Sequence, residues 1–443
     1  MLRPYQELAI KNIISALADG HRPLLHLETG AGKTVIFCEI LKRLNGRHGI
    51  MVVRGRQLVN QASARLTREG VKHGVMMAGH PGYREKEPIQ VCSVDTLLAR
   101  GTRPKADLIV IDEAHLATSE GYSRLLSHYD CPILSVTATP YVPMANIANV
   151  VIRPTTFDEL VRDGYIVRPR YFAPSMPDLQ GVHTANGEYV QSDLEKAVNK
   201  GNLIGDIVAH YKKYASDRKA LCFAVTVNHS LQLAKTFNEA GIPARHVDAD
   251  TLDHERVSAL DDLEAGRLKV ICNVGVMGLG VDAPPVDCII MARPTKSEML
   301  YIQQLGRGTR PYPGKKDFLV LDHSGNVLRH GFMEEEREAC LKYVEHTKRT
   351  KSLTTCLNCF AVFSGSVCPD CSNSNPIKLR KIDVRDGDLV EMTPEMVRKD
   401  IDRTRKEKGY KLGWRYWEAR RLYGEETAEK LFPKRFVPEW VKK

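Results

Sequence analysis

The sequence predicts an α/β protein with two consecutive domains, each built on a parallel β-sheet, followed by a smaller C-terminal region. Short apolar runs alternate with helical stretches from about residue 23 to 140. The same alternation restarts after residue 200 and stops near residue 331. The apolar runs are continuous and do not alternate with polar residues, which is typical of strands covered by helices on both faces. These three observations predict the fold class.

The first domain is predicted to span residues 1–155. Its strands are predicted at the apolar runs Leu24–Leu27, Gly49–Val53, Ile89–Ser93, Leu108–Ile111 and Ile133–Val136. Helices are predicted between them at Lys33–Leu44 and Gln57–Arg68. Residues 156–200 are less regular and are predicted to connect the two domains, with a polar, exposed excursion at 181–200.

The second domain is predicted to span residues 201–330. Its strands are predicted at Ala220–Ala224, Arg245–Val247, Val270–Cys272, Cys288–Met291 and Phe318–Leu321, with helices at Ser230–Ala240 and Ser297–Leu305. Residues 331–380 are predicted to hold a charged helix, Met333–Arg349, and a cysteine cluster. Residues 381–443 are predicted to form a basic helical tail.

The composition indicates a globular protein with an anionic partner. The chain has 443 residues, of which 43% are hydrophobic and 27% charged, and these values are ordinary for globular domains. The net charge of +10 favours an anionic partner but does not choose between nucleic acid and a membrane surface. No apolar stretch approaches the ~18 residues of a membrane helix, and the first residues lack the core of a secretion signal. We therefore expect a cytoplasmic protein that does not enter a membrane.

A glycine-rich turn between a predicted strand and a predicted helix indicates a phosphate-binding loop. Its sequence is Thr29-Gly30-Ala31-Gly32-Lys33-Thr34. Glycines let backbone N–H groups curl around phosphate oxygens, and the N-terminus of the following helix favours negative charge. Lys33 is expected to reach the β- and γ-phosphates, and Thr34 to offer its hydroxyl to Mg²⁺. Leu27 stands where the common G-x4-G-K-[ST] pattern has its first glycine.

Acidic and basic residues later in the chain predict the rest of a nucleotide site. Asp112 and Glu113 directly follow Leu108–Ile111, at the carboxyl end of a predicted strand, where ligands bind in such sheets. Asp112 suits Mg²⁺ binding, and Glu113 suits orientation of an attacking water. Arg307 and Arg310 lie three residues apart at a predicted helix end and would supply charge to a transferring γ-phosphoryl group. By themselves these arginines also fit an exposed basic helix.

In chain order, the motifs resemble those of the superfamily 2 helicases, in particular the DEAH-bearing, XPB/Ssl2-like or phage-encoded DNA helicase branch. The resemblance covers residues 1–330. It is carried by Arg3-Pro4-Tyr5-Gln6, Thr29 to Thr34, Arg54 to Val59 with Gln61, Val91 to Leu97, Asp112-Glu113-Ala114-His115, Thr137-Ala138-Thr139-Pro140, Phe223 to Val227, Gly280-Val281-Asp282 and Gln303 to Arg310. Leu279 stands where the family often has Glu, and Tyr141 and Val142 stand where it often has Arg.

The resemblance implies two RecA-like lobes with ATP and Mg²⁺ between them and a nucleic-acid strand across their tops. The implied residues of the ATP and Mg²⁺ site are Arg3, Gln6, Thr29, Gly30, Gly32, Lys33, Thr34, Asp112, Gly280 and Asp282. The implied catalytic residues are Glu113, Gln303, Arg307 and Arg310. Coupling of hydrolysis to movement is implied for His115, Thr137 and Thr139. Contact with nucleic acid is implied for Arg54, Gln57, Ser93, Thr96 and Thr226.

Four clustered cysteines predict a structural zinc site. Cys356, Cys359, Cys368 and Cys371 have the spacing C-x2-C-x8-C-x2-C. Each pair places two thiolates on one tight turn, and two such turns complete a tetrahedron around Zn²⁺. In a chain without a secretion signal this spacing indicates metal before disulfide, with unliganded reduced thiols as the alternative. The sequence leaves open whether such a zinc ribbon contacts nucleic acid or only holds the tail.

The tail combines positive charge with aromatic residues. From Glu395 to Lys443 there are fifteen Lys or Arg and nine Asp or Glu. Arg415, Arg420 and Arg421 are predicted to contact nucleic acid, because cations suit phosphates and interleaved aromatic rings can stack on bases. The alternative for the aromatic residues is a small helical module in which they form the core.

We therefore expect an ATP-dependent DNA helicase or translocase that acts on duplex, forked or branched DNA, with ATP, Mg²⁺ and Zn²⁺ as cofactors. An RNA helicase is the alternative among enzymes, since the core motifs do not distinguish the two sugars. A further alternative is an ATP-switched nucleic-acid-binding subunit, or the motor subunit of a larger restriction, repair or recombination assembly.

Overall fold

The structure is a computed structural model that describes most of the chain. The described residues are 2–117, 119–141, 143–173, 179, 181–185, 187–198, 201–277, 285–337, 339, 341, 353–356, 358–365, 367–373, 394–407, 409–410, 414–423 and 431–432. Within the helices, the side chains of residues 57, 201–205, 394–397, 400, 407 and 420–423 are not described. The chain forms two compact units, Met1–Asn375 and Pro376–Lys443.

The first lobe contains a seven-stranded parallel sheet, as the fold class predicts. Its strands are β1 (Pro23–His26), β2 (Gly49–Val53), β3 (Gly74–Met76), β4 (Ile89–Ser93), β5 (Leu108–Asp112), β6 (Ile133–Thr137) and β7 (Val150–Ile152). Their order is β3-β4-β2-β5-β6-β1-β7. The five predicted strands appear within one residue of their predicted bounds. The short strands β3 and β7 escape prediction because three apolar residues do not stand out from their surroundings.

Helices cover both faces of this sheet. They are α1 (Pro4–Ala18), α2 (Lys33–Lys42), α3 (Arg56–Arg68), α4 (Val94–Arg100) and α5 (Glu120–Leu126). Alternate residues of β5 enter two separate apolar cores, with Val110 in one and Ile109 and Ile111 in the other. Burial on both faces explains why the strands read as continuous apolar runs.

The segment between the two lobes has its own secondary structure. It contains α6 (Phe157–Arg162), β8 (Arg168–Phe172), the hairpin strands β9 (Thr184–Ala185) and β10 (Glu188–Tyr189), and α7 (Gln191–Val198). Thr156 and Glu159 start α6 with a reciprocal capping box, in which each side chain accepts the other residue's backbone N–H. The hairpin lies in the polar stretch predicted as an excursion.

The second lobe contains a six-stranded parallel sheet. Its further strands are β11 (Ala220–Phe223), β12 (Ala244–Val247), β13 (Val270–Asn273), β14 (Cys288–Met291) and β15 (Asp317–Asp322). The helices are α8 (Gly201–Ala215), α9 (Val227–Glu239), α10 (Asp253–Glu264), α11 (Glu298–Leu305) and α12 (Asn326–His330). The order is β12-β13-β11-β14-β15-β8, so the connecting segment supplies the edge strand β8. Arg168 and Arg170 are exposed on this edge, which breaks the apolar run that marks the other strands.

The chain after the second sheet forms turns at the start of the predicted helix Met333–Arg349. The described residues 333–337 are not helical, and residues 342–350 lie outside the described part. The Arg337 guanidinium is buried there and donates to four backbone carbonyls, those of His330, Phe332, Met333 and Glu335. A helix would use its carbonyls for its own hydrogen bonds, so this arrangement and a helix exclude one another.

A cysteine-bearing hairpin packs on the edge of the second sheet. Its strands are β16 (Leu353–Thr355) and β17 (Val362–Ser364), which pair antiparallel. Phe172 of β8 forms a β-bridge with Ala361, and the Ala173 N–H donates to the Phe360 carbonyl at 3.0 Å. Phe363 is buried in the same apolar core as Phe172. The hairpin therefore covers the exposed edge of β8.

The second unit is a small helical module. It contains α13 (Pro394–Glu407) and α14 (Trp414–Tyr423). Its own core is formed by Ile401, Tyr416, Ala419, Leu431 and Phe432, with Trp414 packed against it. Two of the tail's aromatic residues thus belong to a core, whereas Trp417 is exposed. None of the helices in the described part of the chain has the length and apolar character needed to span a bilayer.

Candidate active site and metal centre

The phosphate-binding loop joins β1 to α2. Gly30 and Gly32 adopt φ angles of +87° and +79°, a left-handed region that other residues rarely adopt. The Lys33 ammonium donates to the carbonyls of Leu27 at 3.0 Å and Glu28 at 3.1 Å, on the inside of the loop. Burial lowers the pKa of Lys33, while the neighbouring carboxylates of Glu113 and Asp112 oppose this shift. The ammonium is therefore held at the loop by negative charge and carbonyl oxygens.

A cavity of 360 Å³ opens in front of this loop, and both lobes line it. It brings together ten of the residues predicted for ATP binding and catalysis: Thr29, Gly30, Gly32, Lys33, Thr34, Asp112, Glu113, Gln303, Arg307 and Arg310. Residues of α3 complete the wall, namely Gln61, Ala64, Arg65, Arg68 and Glu69. None of these α3 residues was predicted for the nucleotide site.

Two adjacent carboxylates face the cavity at the end of β5. Asp112 is 7% exposed, and its Oδ2 accepts a hydrogen bond from Arg65 Nη1 at 2.9 Å. Burial and the charge of Glu113 raise the pKa of Asp112, while Arg65 and Lys33 oppose the rise. Glu113 has φ +49°, and its Oε2 is buried with no hydrogen-bond partner among the described residues. A strained backbone and a buried oxygen without a hydrogen-bond partner are features of functional sites.

His115 links the two lobes through Gln303, which lines the cavity. Its Nδ1 lies 3.0 Å from Thr137 Oγ1 and 3.2 Å from Thr139 Oγ1, while its Nε2 lies 3.2 Å from the Gln303 amide nitrogen. Burial lowers the pKa of His115 to about 4, so the ring is neutral near pH 7. Because the amide nitrogen donates to Nε2, the ring proton lies on Nδ1. The three predicted coupling residues thus share one hydrogen-bonded cluster with Gln303.

Close backbone approach joins the phosphate-binding loop to the second lobe. Thr309 Oγ1 donates to the Thr29 carbonyl at 2.9 Å, across 280 residues of sequence. A Cβ atom on Gly306 would lie 2.5 Å from Thr29 Cβ, so a larger residue could not take this place without movement. Arg307, one residue further, is 6% exposed at the cavity wall.

The N-terminal motif packs beside the loop. The Gln6 amide oxygen accepts the Arg3 N–H at 3.0 Å, and a Cβ on Gly32 would lie 2.6 Å from Gln6 Nε2. The Tyr5 hydroxyl donates to the Ala31 carbonyl at 2.5 Å. The Arg3 guanidinium lies 4.2 Å from the ring centre of Tyr165, which comes from the connecting segment. Tyr165 gave no sequence signal, because only the fold brings it to Arg3.

The donor set fits a Mg²⁺ ion. The cavity offers the Asp112 carboxylate and the Thr34 hydroxyl, and Mg²⁺ prefers such oxygen ligands. The Arg65 guanidinium forms an ion pair with Asp112, so this carboxylate already faces a positive charge. When bound with a nucleotide, Mg²⁺ would neutralise developing phosphate charge.

The remaining predicted site residues lie away from the cavity or outside the described residues. Gly280 and Asp282 are among residues 278–284, which are not described, and the side chains of Gln57, Arg420 and Arg421 are likewise not described. Arg54 is exposed and pairs with Asp95, and Ser93 and Thr96 lie at the start of α4. Thr226 caps α9, and its hydroxyl donates to Glu195. Arg415 pairs with Asp402 and lies over the Phe432 ring.

The four clustered cysteines converge at the turn of the β16–β17 hairpin, which contains Cys356 and Cys359. All four sulfur atoms lie within 4.8 Å of one another, with 3.5 Å between Cys356 and Cys371 and 3.6 Å between Cys359 and Cys368. A tetrahedral Zn²⁺ site with Zn–S bonds of about 2.3 Å needs sulfur separations of about 3.8 Å. The cluster therefore fits zinc with modest adjustment.

Both cysteine pairs form the same kind of turn. The Phe360 N–H donates to the Cys356 carbonyl, and the Ser372 N–H donates to the Cys368 carbonyl. Phe360 and Ser372 both have positive φ angles, +60° and +56°. Burial of Cys356 opposes its ionisation, but hydrogen bonds from the backbone of Cys359 and Asn358 outweigh it and lower the pKa of this thiol to about 6. Such N–H donors stabilise the thiolate that a metal requires.

Comparisons with known proteins agree with this geometry. The family model described as "Type III restriction enzyme, res subunit" matches residues 1–142, and that described as "Helicase conserved C-terminal domain" matches residues 199–311. The "51.5 kDa protein" of a Lactococcus phage (isolate 7-9) is 30% identical over 355 residues, which cover 79% of this chain and 74% of the phage protein. "Putative ATP-dependent helicase IRC3" of Saccharomyces cerevisiae is 27% identical over 355 residues, which cover 73% of this chain. The matched part spans 52% of the yeast protein, about half of its length.

A solved structure shares the fold. It is described as "ATP-dependent Type ISP restriction-modification enzyme LlaBIII bound to DNA" and superposes with a TM-score of 0.57 at 17% identity. The similarity covers 72% of this chain but 27% of that larger chain. At this identity the comparison shows the fold alone.

We expect Cys368→Ser to release the bound zinc, because three thiolates and a hydroxyl hold Zn²⁺ more weakly than four thiolates. Since the hairpin covers β8, the melting temperature should fall and proteolysis near residue 360 should become faster. The measurements are metal content by mass spectrometry, thermal unfolding and limited proteolysis. Cys131→Ser, a change at a half-buried cysteine outside the cluster, is the control and should keep its zinc. Unchanged stability after zinc loss would contradict a structural role.

Proposed function

We propose that this chain is an ATP-driven motor that moves along DNA, and the premise is its family: the chain belongs to the superfamily 2 helicases. The observation that carries the proposal is that both lobes line one cavity. Lys33 and the two carboxylates come from the first lobe, and Arg307 and Arg310 come from the second. Binding and hydrolysis of a nucleotide between the lobes would close and open the cleft, which is how a two-lobed motor makes a step.

The side chains around the cavity suit hydrolysis of a γ-phosphate. The Lys33 ammonium and the loop N–H groups would bind the phosphates, and Asp112 and Thr34 would hold Mg²⁺. Glu113, which lines the cavity, orients the attacking water and accepts its proton. The guanidinium groups of Arg307 and Arg310 stabilise the charge that develops on the transferring group. Each lobe thus contributes one half of the catalytic set.

The His115 cluster suits transmission between hydrolysis and lobe movement. His115 touches Thr137 and Thr139 in the first lobe and Gln303 in the second. Its neighbour Glu113 has a carboxylate oxygen 3.6 Å from His115 Nδ1. A change at the γ-phosphate would therefore reach the lobe contact through one imidazole ring.

The comparisons favour DNA over RNA as the nucleic acid along which the chain moves. The family model for residues 1–142 is named for restriction enzymes, and the similar solved structure is bound to DNA. These names also favour a second candidate, in which the chain is the motor subunit of a larger DNA-processing assembly. The net charge of +10 suits either role, and the small helical unit and cysteine hairpin are candidates for further DNA contact. Action on forked or branched DNA, and an XPB/Ssl2-like relationship, remain predictions of the sequence.

We expect ATP turnover to be stimulated by DNA and to depend on Lys33 and Glu113. Lys33→Ala and Glu113→Gln should abolish turnover and largely spare DNA binding, because both residues act on the phosphate and not on the DNA. Turnover is measured at fixed salt without nucleic acid and then with single-stranded DNA, duplex DNA, a forked junction and RNA. Stimulation by RNA alone would replace the DNA motor with an RNA helicase. Persistent turnover in both purified variants would contradict the site assignment.

Arg307→Ala should reduce turnover by roughly 10³-fold or more, the size of effect that an arginine acting on a γ-phosphoryl group has. Nucleotide binding should weaken much less, since the charge is needed mainly in the transition state. Steady-state ATPase rates and equilibrium binding of ADP separate these two effects. The exposed Arg43, which pairs with Glu39 within the first lobe, provides a control variant that should turn over normally. A wild-type rate in Arg307→Ala would remove this arginine from the catalytic set.

A further inference from the structure

After the last helix of the second lobe, the chain crosses back to the first lobe. Residues 331–337, the strap, directly follow α12 and lie outside both segments that match the family models. Two residues beyond the strap, Ala339 and Leu341, pack against an apolar core of the first lobe. The strap is therefore a second connection between the lobes, in addition to the segment at 156–200.

The Arg337 guanidinium holds the strap to the start of α11. Four of its N–H groups donate to the backbone carbonyls of residues 330, 332, 333 and 335, and the Nε group donates to Glu298 Oε1 at 2.7 Å. All five donors of the side chain are thus used, and the side chain is 9% exposed. Tyr301, one turn further along α11, adds a second attachment because its hydroxyl donates to the Gly331 carbonyl at 2.7 Å.

The same guanidinium faces the first lobe. Its central carbon lies 5.9 Å from the ring centre of Tyr141, which directly follows the Thr-Ala-Thr-Pro motif at residues 137–140. This distance is within the range of a cation–π contact. The strap also reaches the phosphate-binding loop, since Arg153 lies 3.8 Å from Glu336 and 3.7 Å from Glu28. Because Glu336 is 81% exposed, that ion pair contributes little, and the contact with Tyr141 is the stronger link.

Helix α11 leads from this contact to the proposed catalytic set. Gln303 near its end contacts His115 of the first lobe, and Arg307 just beyond its end lines the cavity. The eight residues of the helix span roughly 12 Å, and Tyr301 in its middle is fully buried. A short, closely packed helix passes an error in the position of its start on to its end. Misplacement of a reacting group by about 1 Å can lower a rate by about 10²-fold.

We propose that Arg337 is a positioning residue for ATP hydrolysis, which sets the place of Gln303 and Arg307 by fixing the start of α11 between the strap and Tyr141. This inference rests on the proposed function. The residue acts through α11 and not by touching the nucleotide. Binding of a nucleotide depends mainly on the phosphate-binding loop of the first lobe, so loss of Arg337 slows hydrolysis much more than it weakens binding.

The first test compares Arg337→Gln with the wild type in steady-state ATPase assays at a saturating concentration of a single-stranded DNA oligonucleotide. The kcat should fall by roughly 10-fold or more, within the effect of a 1 Å misplacement. The Kd of fluorescent ADP and the number of ADP sites per chain should stay as in the wild type. Arg329→Gln is the matched control, because this exposed arginine donates to the Thr295 carbonyl within the second lobe, and it should keep its kcat.

Two results of this comparison would overturn the proposed role of Arg337. One is an unchanged kcat in a folded Arg337→Gln protein. The other is a fall in kcat that is matched by an equal fall in the number of ADP sites, since that would be a loss of folded protein alone. In both cases the wild type still hydrolyses ATP, so the proposed function stands.

The second test addresses the contact with the first lobe. Tyr141→Leu removes the ring and leaves the hydrogen bonds of Arg337 in place, so it also serves if Arg337→Gln does not fold. It should lower kcat by roughly 2-fold or more, the effect expected for loss of a cation–π contact, whereas Tyr141→Phe keeps the ring and should keep kcat. In the double variant with Arg337→Gln, the fall should be smaller than the product of the two single effects, because both residues act through one contact.

Equal kcat values in Tyr141→Leu and Tyr141→Phe, or single effects that multiply fully in the double variant, would overturn the link between Arg337 and the first lobe. A wild-type protein without ATP turnover in the presence of any nucleic acid would overturn the proposed function, and this inference with it.

Discussion

The contact between the phosphate-binding loop and the second lobe is the constraint on which the rest of the site depends. The Thr309 hydroxyl donates a hydrogen bond to the Thr29 carbonyl. Gly306 lies so close to Thr29 that no side chain would fit between them. This close approach is what brings Arg307 and Arg310 to a cavity whose loop and carboxylates belong to the other lobe. A reaction that needs groups from both lobes is sensitive to their spacing, and the same sensitivity allows hydrolysis to change that spacing.

Charge balance is the second condition that the site meets. Asp112 is buried and Lys33 and Glu113 are partly buried beside it, and isolated charges in such a place would be costly. The loop carbonyls satisfy Lys33, and Arg65 satisfies Asp112, so each buried charge has an opposite charge or a dipole beside it. Glu113 keeps one buried oxygen without a hydrogen-bond partner in the described part of the structure. Glu113, which is proposed to accept a proton, therefore has fewer hydrogen-bond partners than Lys33 or Asp112.

The cysteine hairpin covers the edge of the second sheet that β8 would otherwise expose. Strand β8 is an edge strand, and an uncovered edge offers unpaired N–H and carbonyl groups. The bridge between Phe172 and Ala361 and the burial of Phe363 beside Phe172 cover this edge. A cross-linked metal site suits that position, since three-residue strands such as β16 and β17 have little stability of their own.

Much of this organisation is local in the sequence and could be predicted from it. Nine of the ten predicted strands are buried and appear as apolar runs because both faces of each parallel sheet are covered, whereas β12 is only partly buried. Asp112 follows such a run directly, and the loop with Gly30 and Lys33 comes a few residues after another. The cysteine spacing likewise predicts its own cluster, since two short turns bring the sulfur atoms together. Only the tertiary structure decided the rest. Strand β8 carries exposed arginines and is defined by its neighbour β15, Tyr165 meets Arg3 across the fold, and Arg65 meets Asp112 across 47 residues. These contacts join elements distant in the chain, so their physical cause is packing and charge pairing in three dimensions, which no local pattern of residues records.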